Sequence, residues 1–114
     1  MIEVKYFNKN GRYGISVTGH AGYAPAGQDI VCASISTLLV GLGNYLTEHE
    51  NSHDWKVLEV RLEEADSNVE VIIDDPKYIL YTDNEILDNL FTMVIEQMKD
   101  ISELYPLNVQ ILES

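Results

Sequence analysis

The spacing of hydrophobic residues changes twice from alternating to helical along this chain, and no other feature constrains its fold as strongly. The chain begins with two segments in which apolar and polar residues alternate, followed by a segment with apolar residues every three or four positions. The same sequence of segments then occurs again, and a short alternating segment ends the chain. Alternation is typical of half-buried strands, and the longer spacing is typical of amphipathic helices. The pattern predicts the order ββαββαβ, an α+β domain with two helices packed on a largely antiparallel five-stranded sheet.

The first helix is predicted from Ile30 to about Glu48, and the segment from His49 to Asp54 is predicted to break it. Its predicted buried stripe is Val31, Ile35, Leu38, Leu42 and Tyr45. Asp83 or Asn84 is expected to cap the second helix, and Pro106 to end it. The predicted stripe of that helix is Leu87, Leu90, Phe91, Val94, Ile95, Met98 and Ile101.

The strands are predicted as two hairpins and one short final strand. Their alternating apolar residues are Ile2, Val4 and Tyr6; Tyr13, Ile15 and Val17; Leu58, Val60 and Leu62; Val69, Val71 and Ile73; and Leu107, Val109 and Ile111. With 114 residues and no linker, we expect one domain over residues 1–114.

The charge and cysteine content narrow the classes of function. The chain has 19 acidic and 7 basic residues and a formal net charge of -12, which disfavours direct nucleic-acid binding and favours a basic partner. A single cysteine suits a reducing compartment, and the N-terminus does not resemble a signal peptide. The strongly apolar stretch 38–42 is much shorter than a membrane span. We therefore expect a cytoplasmic protein without a membrane segment.

A histidine and the only cysteine, twelve residues apart, form a candidate catalytic site. Cys32 lies in the first turn of the predicted helix, where the helix dipole and unpaired N–H groups stabilise a thiolate. His20 could take the thiol proton. With Asp29 as the N-cap, Cys32 is at position N3, and Asp29, Cys32 and Ser36 share one helix face.

The spacing alone leaves structural explanations open. A lone cysteine is most often an inert buried residue, and Asp29 needs no role beyond capping. Ser36 could bond only to the carbonyl one turn earlier, and Gly22 and Gly27 could serve only a turn. His20 could equally cap the end of a strand.

A second motif, His49-Glu50-Asn51-Ser52-His53, matches the H-E-x-x-H pattern of zinc proteases. That chemistry needs both imidazoles on one helix face and a third ligand. The motif falls where the helix is predicted to end, and no later residue stands out as the third ligand. We therefore expect no metal site and no cofactor.

The segments Gly19-His20-Ala21-Gly22 and Gly27-Gln28-Asp29-Ile30-Val31-Cys32-Ala33, with the predicted element order, resemble the ribosomal-processing cysteine protease family, Prp or YsxB-like. The resemblance covers essentially the whole chain. It implies a bacterial cytosolic peptidase that forms homodimers. Such proteins remove an N-terminal extension from large-subunit ribosomal protein L twenty-seven (bL type).

The resemblance also implies roles for individual residues. Cys32 would be the nucleophile and His20 the general base, with Asp29 and Ser36 in supporting positions. A substrate loop, which includes Gly19, Ala21, Gly22 and Gly27, would order over the substrate. Backbone N–H groups near Cys32 are expected to stabilise the oxyanion. A non-catalytic dimeric adaptor that binds a basic ribosomal protein is the alternative, because it would explain the acidity and small size equally well.

Overall fold

The computed structural model describes residues 1–9, 12–19, 24, 29–53, 56–63, 68–74 and 85–113. Of these, residues 50–53, 56–63, 68–74 and 85 are described by their backbone alone. The elements are β1 (Ile2–Lys9), β2 (Arg12–Thr18), α1 (Ile30–His53), β3 (Lys56–Glu63), β4 (Asn68–Asp74), α2 (Glu85–Leu104) and β5 (Val109–Glu113). The prediction of a small α+β domain with two helices is confirmed.

The strands form one sheet in the order β3-β4-β2-β1-β5. The β1–β5 pair is parallel, and the other neighbouring pairs are antiparallel. Val4 pairs with Val17 and Ile2 pairs with Val109, so the alternating apolar residues of three strands share one face. The two helices cover that face, and the core lies between them and the sheet.

Helix α1 packs on the sheet with a stripe that differs from the predicted one. The buried residues are Val31, Ile35, Leu39, Leu42 and Leu46. Leu38 is only half-buried and Tyr45 is 37% exposed, so the prediction was wrong at these two positions. Leu38 and Leu39 are both apolar, and the sequence does not show which of them faces the sheet. In α2 the predicted residues are buried, except that Leu90 and Ile101 are half-buried at the edge of the core.

The end of α1 and the start of β5 also differ from the predicted positions. Helix α1 continues to His53, so the break predicted between His49 and Asp54 does not occur before that residue. The last strand begins at Val109, and Leu107, 84% exposed, belongs to the turn before it. Asn108 and Val109 donate their N–H groups to the Tyr105 carbonyl, which closes this turn after the helix. The predicted cap of α2 at residues 83 and 84 lies outside the described residues.

The segment Ile30–His49 of α1 is long and apolar enough to pass for a membrane span by length and composition. This was not expected from the apolar stretch 38–42 considered alone. The core helix of a soluble protein meets the same criteria, and α1 buries its stripe against the sheet. One such helix is weak support for a membrane segment.

Candidate active site

Asp29 caps the N-terminus of α1, as the sequence predicted. Its Oδ1 accepts hydrogen bonds from the backbone N–H groups of Val31 and Cys32, both at 3.0 Å. Its carbonyl oxygen accepts the first helical bond, from the Ala33 N–H at 3.1 Å. Since the first N–H groups of a helix have no partner within it, this carboxylate satisfies two of them and places its charge at the positive end of the dipole. Cys32 is therefore held at position N3 of α1.

The second carboxylate oxygen of Asp29 reaches back into the segment that precedes the helix. Oδ2 accepts a hydrogen bond from the backbone N–H of Ala24 at 3.4 Å. Asp29 thus joins the start of α1 to a point within the segment that connects His20 to the helix. Ala24 was not predicted as a partner of Asp29, because a backbone N–H is a feature that every residue except proline shares.

Cys32 lies at the boundary between the core and the surface. Its side chain is half-buried and packs against the core cluster, and the preceding residue, Val31, is fully buried. The residue therefore keeps part of its surface exposed. Cys32 thus lies at the edge of the buried stripe that begins at Val31.

Two serines near Cys32 differ in their surroundings. Ser36, one turn further along α1, is half-buried on the same side of the helix as Cys32 and Asp29. Ser34 is exposed, and its Oγ donates to the Ile30 carbonyl at 2.6 Å. The bond to the previous turn that the sequence allowed for Ser36 is seen at Ser34, and the supporting role of Ser36 stays a prediction.

Gly19 directly follows β2 and precedes the candidate base, His20, in the sequence. Its φ is +87°, in the left-handed region that residues with a Cβ rarely adopt. A Cβ at this position would also overlap the carbonyl oxygen of Met1. The residue that precedes His20 therefore has to be glycine for the chain to leave the strand in this direction.

The remaining predicted site residues lie outside the described part of the chain. They are His20, Ala21, Gly22 and Gly27. The described residues therefore place Asp29, Cys32 and Ser36 together and place Gly19 at the end of β2. The pairing of His20 with Cys32 and the behaviour of the substrate loop stay predictions.

The expected oxyanion donors need a correction. We expected backbone N–H groups around Cys32 to be available for a developing negative charge. The N–H groups of Val31 and Cys32 are already donated to Asp29, and that of Ala33 to the Asp29 carbonyl. While the cap is in place, these groups are not available to a substrate.

The structure also revises the context of the His49–His53 motif. We expected the helix to end at this motif, but the backbone of α1 includes all five of its residues. The His49 ring lies against Tyr45, with ring centroids 4.2 Å apart and an interplanar angle of 31°. Among the side chains that the structure describes, no group of three or more potential ligands could hold a metal ion. The side chain of His53 lies outside that set, so the expectation of no metal site stays an expectation.

The chain is similar to known proteins both in sequence and in fold. Residues 1–110 match the model of the family described as cysteine protease Prp. No curated protein matches the chain significantly.

Solved structures cover the full length of the chain. One is the essential ribosomal processing protease Prp from S. aureus with a covalently linked product peptide (21% identity, 100% of both chains covered, TM-score 0.77). The same protease with a substrate peptide gives 19% identity, full coverage of both chains and a TM-score of 0.72. SMU.848 from Streptococcus mutans is 30% identical over 100% of this chain and 96% of its own, with a TM-score of 0.67.

Proposed function

The chain belongs to the Prp family of cysteine proteases, and from that premise we propose that it is an endopeptidase in which Cys32 is the nucleophile and His20 the general base. One observation within the structure carries this proposal. Cys32 lies at N3 of a long helix and is half-buried, and its backbone N–H is held by the Asp29 cap.

The proposed reaction is acyl transfer to the thiol. The Cys32 thiolate attacks the scissile carbonyl and forms a carbon–sulfur bond, and the tetrahedral intermediate then expels the leaving amine. His20 takes the thiol proton and gives it to that amine. Water, activated by His20, then hydrolyses the thioester and restores the free thiol. Donors other than the N–H groups of Val31, Cys32 and Ala33 stabilise the oxyanion, because Asp29 accepts hydrogen bonds from all three.

In this proposal Asp29 holds other groups in place and does not take part in the reaction itself. Its carboxylate lies one turn from the thiol, and like charges repel, so it is poorly suited to stabilise a thiolate directly. Its three accepted hydrogen bonds instead fix the helix start and the backbone at Ala24. We assign it the role of a positioning residue that sets the distance between the loop carrying His20 and the helix carrying Cys32.

The proposed substrate is ribosomal protein L twenty-seven (bL type) with an N-terminal extension, in the bacterial cytoplasm, and the proposed enzyme is a homodimer. Support comes from the S. aureus relative, a ribosomal processing protease bound to a substrate peptide. The net charge of -12 supports it independently, because an acidic surface attracts a basic ribosomal protein over several ångströms.

A non-catalytic adaptor with the same fold is the second candidate, and the acidity of the chain suits it equally well. The two differ in what they require of the thiol, since only a protease needs Cys32 to be a strong nucleophile. We therefore compare the rate of alkylation of Cys32 by iodoacetamide at pH 6.5 with that of N-acetylcysteine under the same conditions. The protease should react at least about tenfold faster. A rate equal to that of the free thiol would favour the adaptor.

A further inference from the structure

A pocket separate from the candidate active site lies between α2 and the strands β1 and β2. It has a volume of about 260 Å³. No residue of α1 and no described residue of the segment 19–29 lines it. It is smaller than the pockets that hold drug-sized ligands, which start at about 300 Å³, and its size suits a single side chain. We call it the aromatic pocket.

The inner part of the aromatic pocket is apolar. Tyr13, Phe91 and Ile95 are each less than 10% exposed and form its base. The rings of Tyr13 and Phe91 lie with centroids 4.9 Å apart and planes inclined by 37°. Tyr6, half-buried on β1, adds a further aromatic ring. Such a lining favours the hydrocarbon part of a ligand.

The rim is acidic. Asp88, Glu96 and Glu113 line the pocket and are exposed, against one lysine, Lys99. The Asp88 carboxylate is drawn toward the pocket by long hydrogen bonds from Tyr13 Oη at 3.5 Å and Asn8 Nδ2 at 3.4 Å. Three carboxylates around an apolar base attract a ligand that has a positive charge at the end of an apolar stem.

The pocket already holds one such group from the chain itself. The Lys99 ammonium lies over the Tyr6 ring, with Nζ 5.4 Å from the ring centroid. This is within the range of about 6 Å over which a cation is attracted to an aromatic face. The arrangement shows that a cation on an alkyl stem fits against Tyr6, in a pocket that the rim carboxylates also line.

We infer that the aromatic pocket binds a cationic side chain, arginine or lysine, of the basic polypeptide on which the enzyme acts, at a point away from the cleaved bond. The identity of that polypeptide as substrate rests on the proposed function, but binding of the cation does not. An arginine guanidinium would lie over Tyr6 and near Glu96, displacing Lys99. The pocket would thus select basic proteins by a contact that short peptides around the cleavage site do not make.

Binding is tested by titrating the intact protein with N-acetyl-arginine methylamide and following backbone amide shifts by NMR. The citrulline analogue is the matched neutral probe, since it has the same shape without the charge. Shifts should centre on Tyr6, Glu96 and Lys99, and citrulline should bind about two- to fivefold more weakly. Equal binding of both probes, or shifts confined to other parts of the chain, would overturn the inference.

Substitutions of Glu96 and Lys99 test separately the acidic rim and the cation that lies over the Tyr6 ring. Glu96→Gln should weaken arginine binding about two- to fivefold, while Glu103→Gln, an exposed acid on the same helix outside the pocket, should leave it unchanged. Lys99→Met should strengthen binding, because it removes the cation that competes for Tyr6. A merely structural Lys99 would give no gain in affinity, so the absence of any gain would count against the inference.

Cleavage kinetics test whether the bound cation belongs to the polypeptide substrate. Glu96→Gln should lower kcat/KM for the whole ribosomal protein about two- to fivefold and leave kcat/KM for a short peptide around the cleavage site unchanged. If the pocket binds arginine but Glu96→Gln does not change kcat/KM for the whole ribosomal protein, the pocket binds small amines, and the polypeptide assignment is overturned. If neither substrate is cleaved by the wild-type protein, the proposed function fails, and the NMR titration still decides whether the pocket binds a cation.

Discussion

The backbone N–H of Cys32 donates a hydrogen bond to Oδ1 of Asp29 at 3.0 Å, so the candidate nucleophile and the helix cap are directly connected. The other oxygen of the same carboxylate accepts the Ala24 N–H at 3.4 Å. One side chain therefore holds both the start of α1 and the segment before it. This relationship makes Asp29 a residue whose two functions can be separated by substitution.

Asp29→Asn should keep the cap and lose the connection to Ala24. The amide oxygen is expected to remain on the N–H groups of Val31 and Cys32, since the reverse orientation would set an NH₂ group against two donors. The NH₂ group then faces the Ala24 N–H, and that bond is lost. We expect thermal unfolding close to wild type and a clearly slower processing rate.

Asp29→Ala is the comparison variant, because it removes both functions. It should also lower the free energy of unfolding by about 0.5–2 kcal/mol, the usual cost of losing an N-cap. If Asp29→Asn processed substrate at the wild-type rate, the bond to Ala24 would have no part in the reaction.

Cys32→Ala should abolish processing and leave the fold intact. The side chain is half-buried, so truncation removes little packing, on the order of 1 kcal/mol. Ser34→Ala is the control on the same helix: it removes the Oγ bond to the Ile30 carbonyl and should process normally. Intact-mass measurement of the substrate gives both rates, and turnover by Cys32→Ala would end the assignment of the nucleophile.

His20→Ala should slow the alkylation of Cys32 by iodoacetamide at pH 6.5 by about tenfold, because a positive neighbour favours the thiolate. Processing should be lost as well, since no base remains to pass the proton to the amine. His49→Ala, on the far part of α1, is the control and should affect neither rate. An unchanged alkylation rate in His20→Ala would show that the two residues are not paired in the free enzyme.

Two glycines should respond to alanine in opposite directions. Gly19→Ala should lower the free energy of unfolding by more than about 1 kcal/mol, because of its φ of +87° and the overlap with the Met1 carbonyl. Gly41 lies within α1, and a Cβ there would meet nothing within 4 Å, so Gly41→Ala should raise stability by about 0.5–1 kcal/mol. Thermal or urea unfolding measures both, and stabilisation by Gly19→Ala would refute the account of the β2 exit.

Raised salt should lower kcat/KM for the ribosomal protein more than kcat. The acidic surface speeds the encounter with a basic substrate, and that attraction is screened as ionic strength rises. The chemical step at Cys32 should be less affected, because salt screens interactions between groups at close range much less than attraction over longer distances. Steady-state kinetics from about 50 to 300 mM salt check this, and an equal fall in both parameters would argue against steering by charge.

The features that the sequence predicted correctly are the local ones. An Asp immediately before an apolar periodic segment predicts an N-cap, and the structure shows its bonds to Val31 and Cys32. The choice between Leu38 and Leu39 as the buried residue depends on how α1 is rotated against the sheet, which periodicity alone does not decide. The continuation of α1 to His53 was missed because Asn51 and Ser52 are weak helix formers, and intrinsic propensity is easily overridden by the rest of the fold.

The aromatic pocket and the Ala24 contact could not be predicted from the sequence, for a different reason. Tyr6 and Lys99 are more than ninety residues apart, and only the packing of α2 on β1 brings them together. The Ala24 contact uses a backbone group, which has no signature in the sequence. The position of Cys32 at N3, in contrast, follows directly from its spacing after Asp29.

Incubation of the protein with ribosomal protein L twenty-seven (bL type) bearing an N-terminal extension, followed by intact-mass spectrometry, tests the central claim most directly. The account predicts one defined N-terminal loss, absent with Cys32→Ala and abolished by prior alkylation of Cys32. An unchanged substrate mass would contradict the proposed function. Cleavage that survives alkylation but stops with a metal chelator would assign the chemistry to the His49–His53 motif instead.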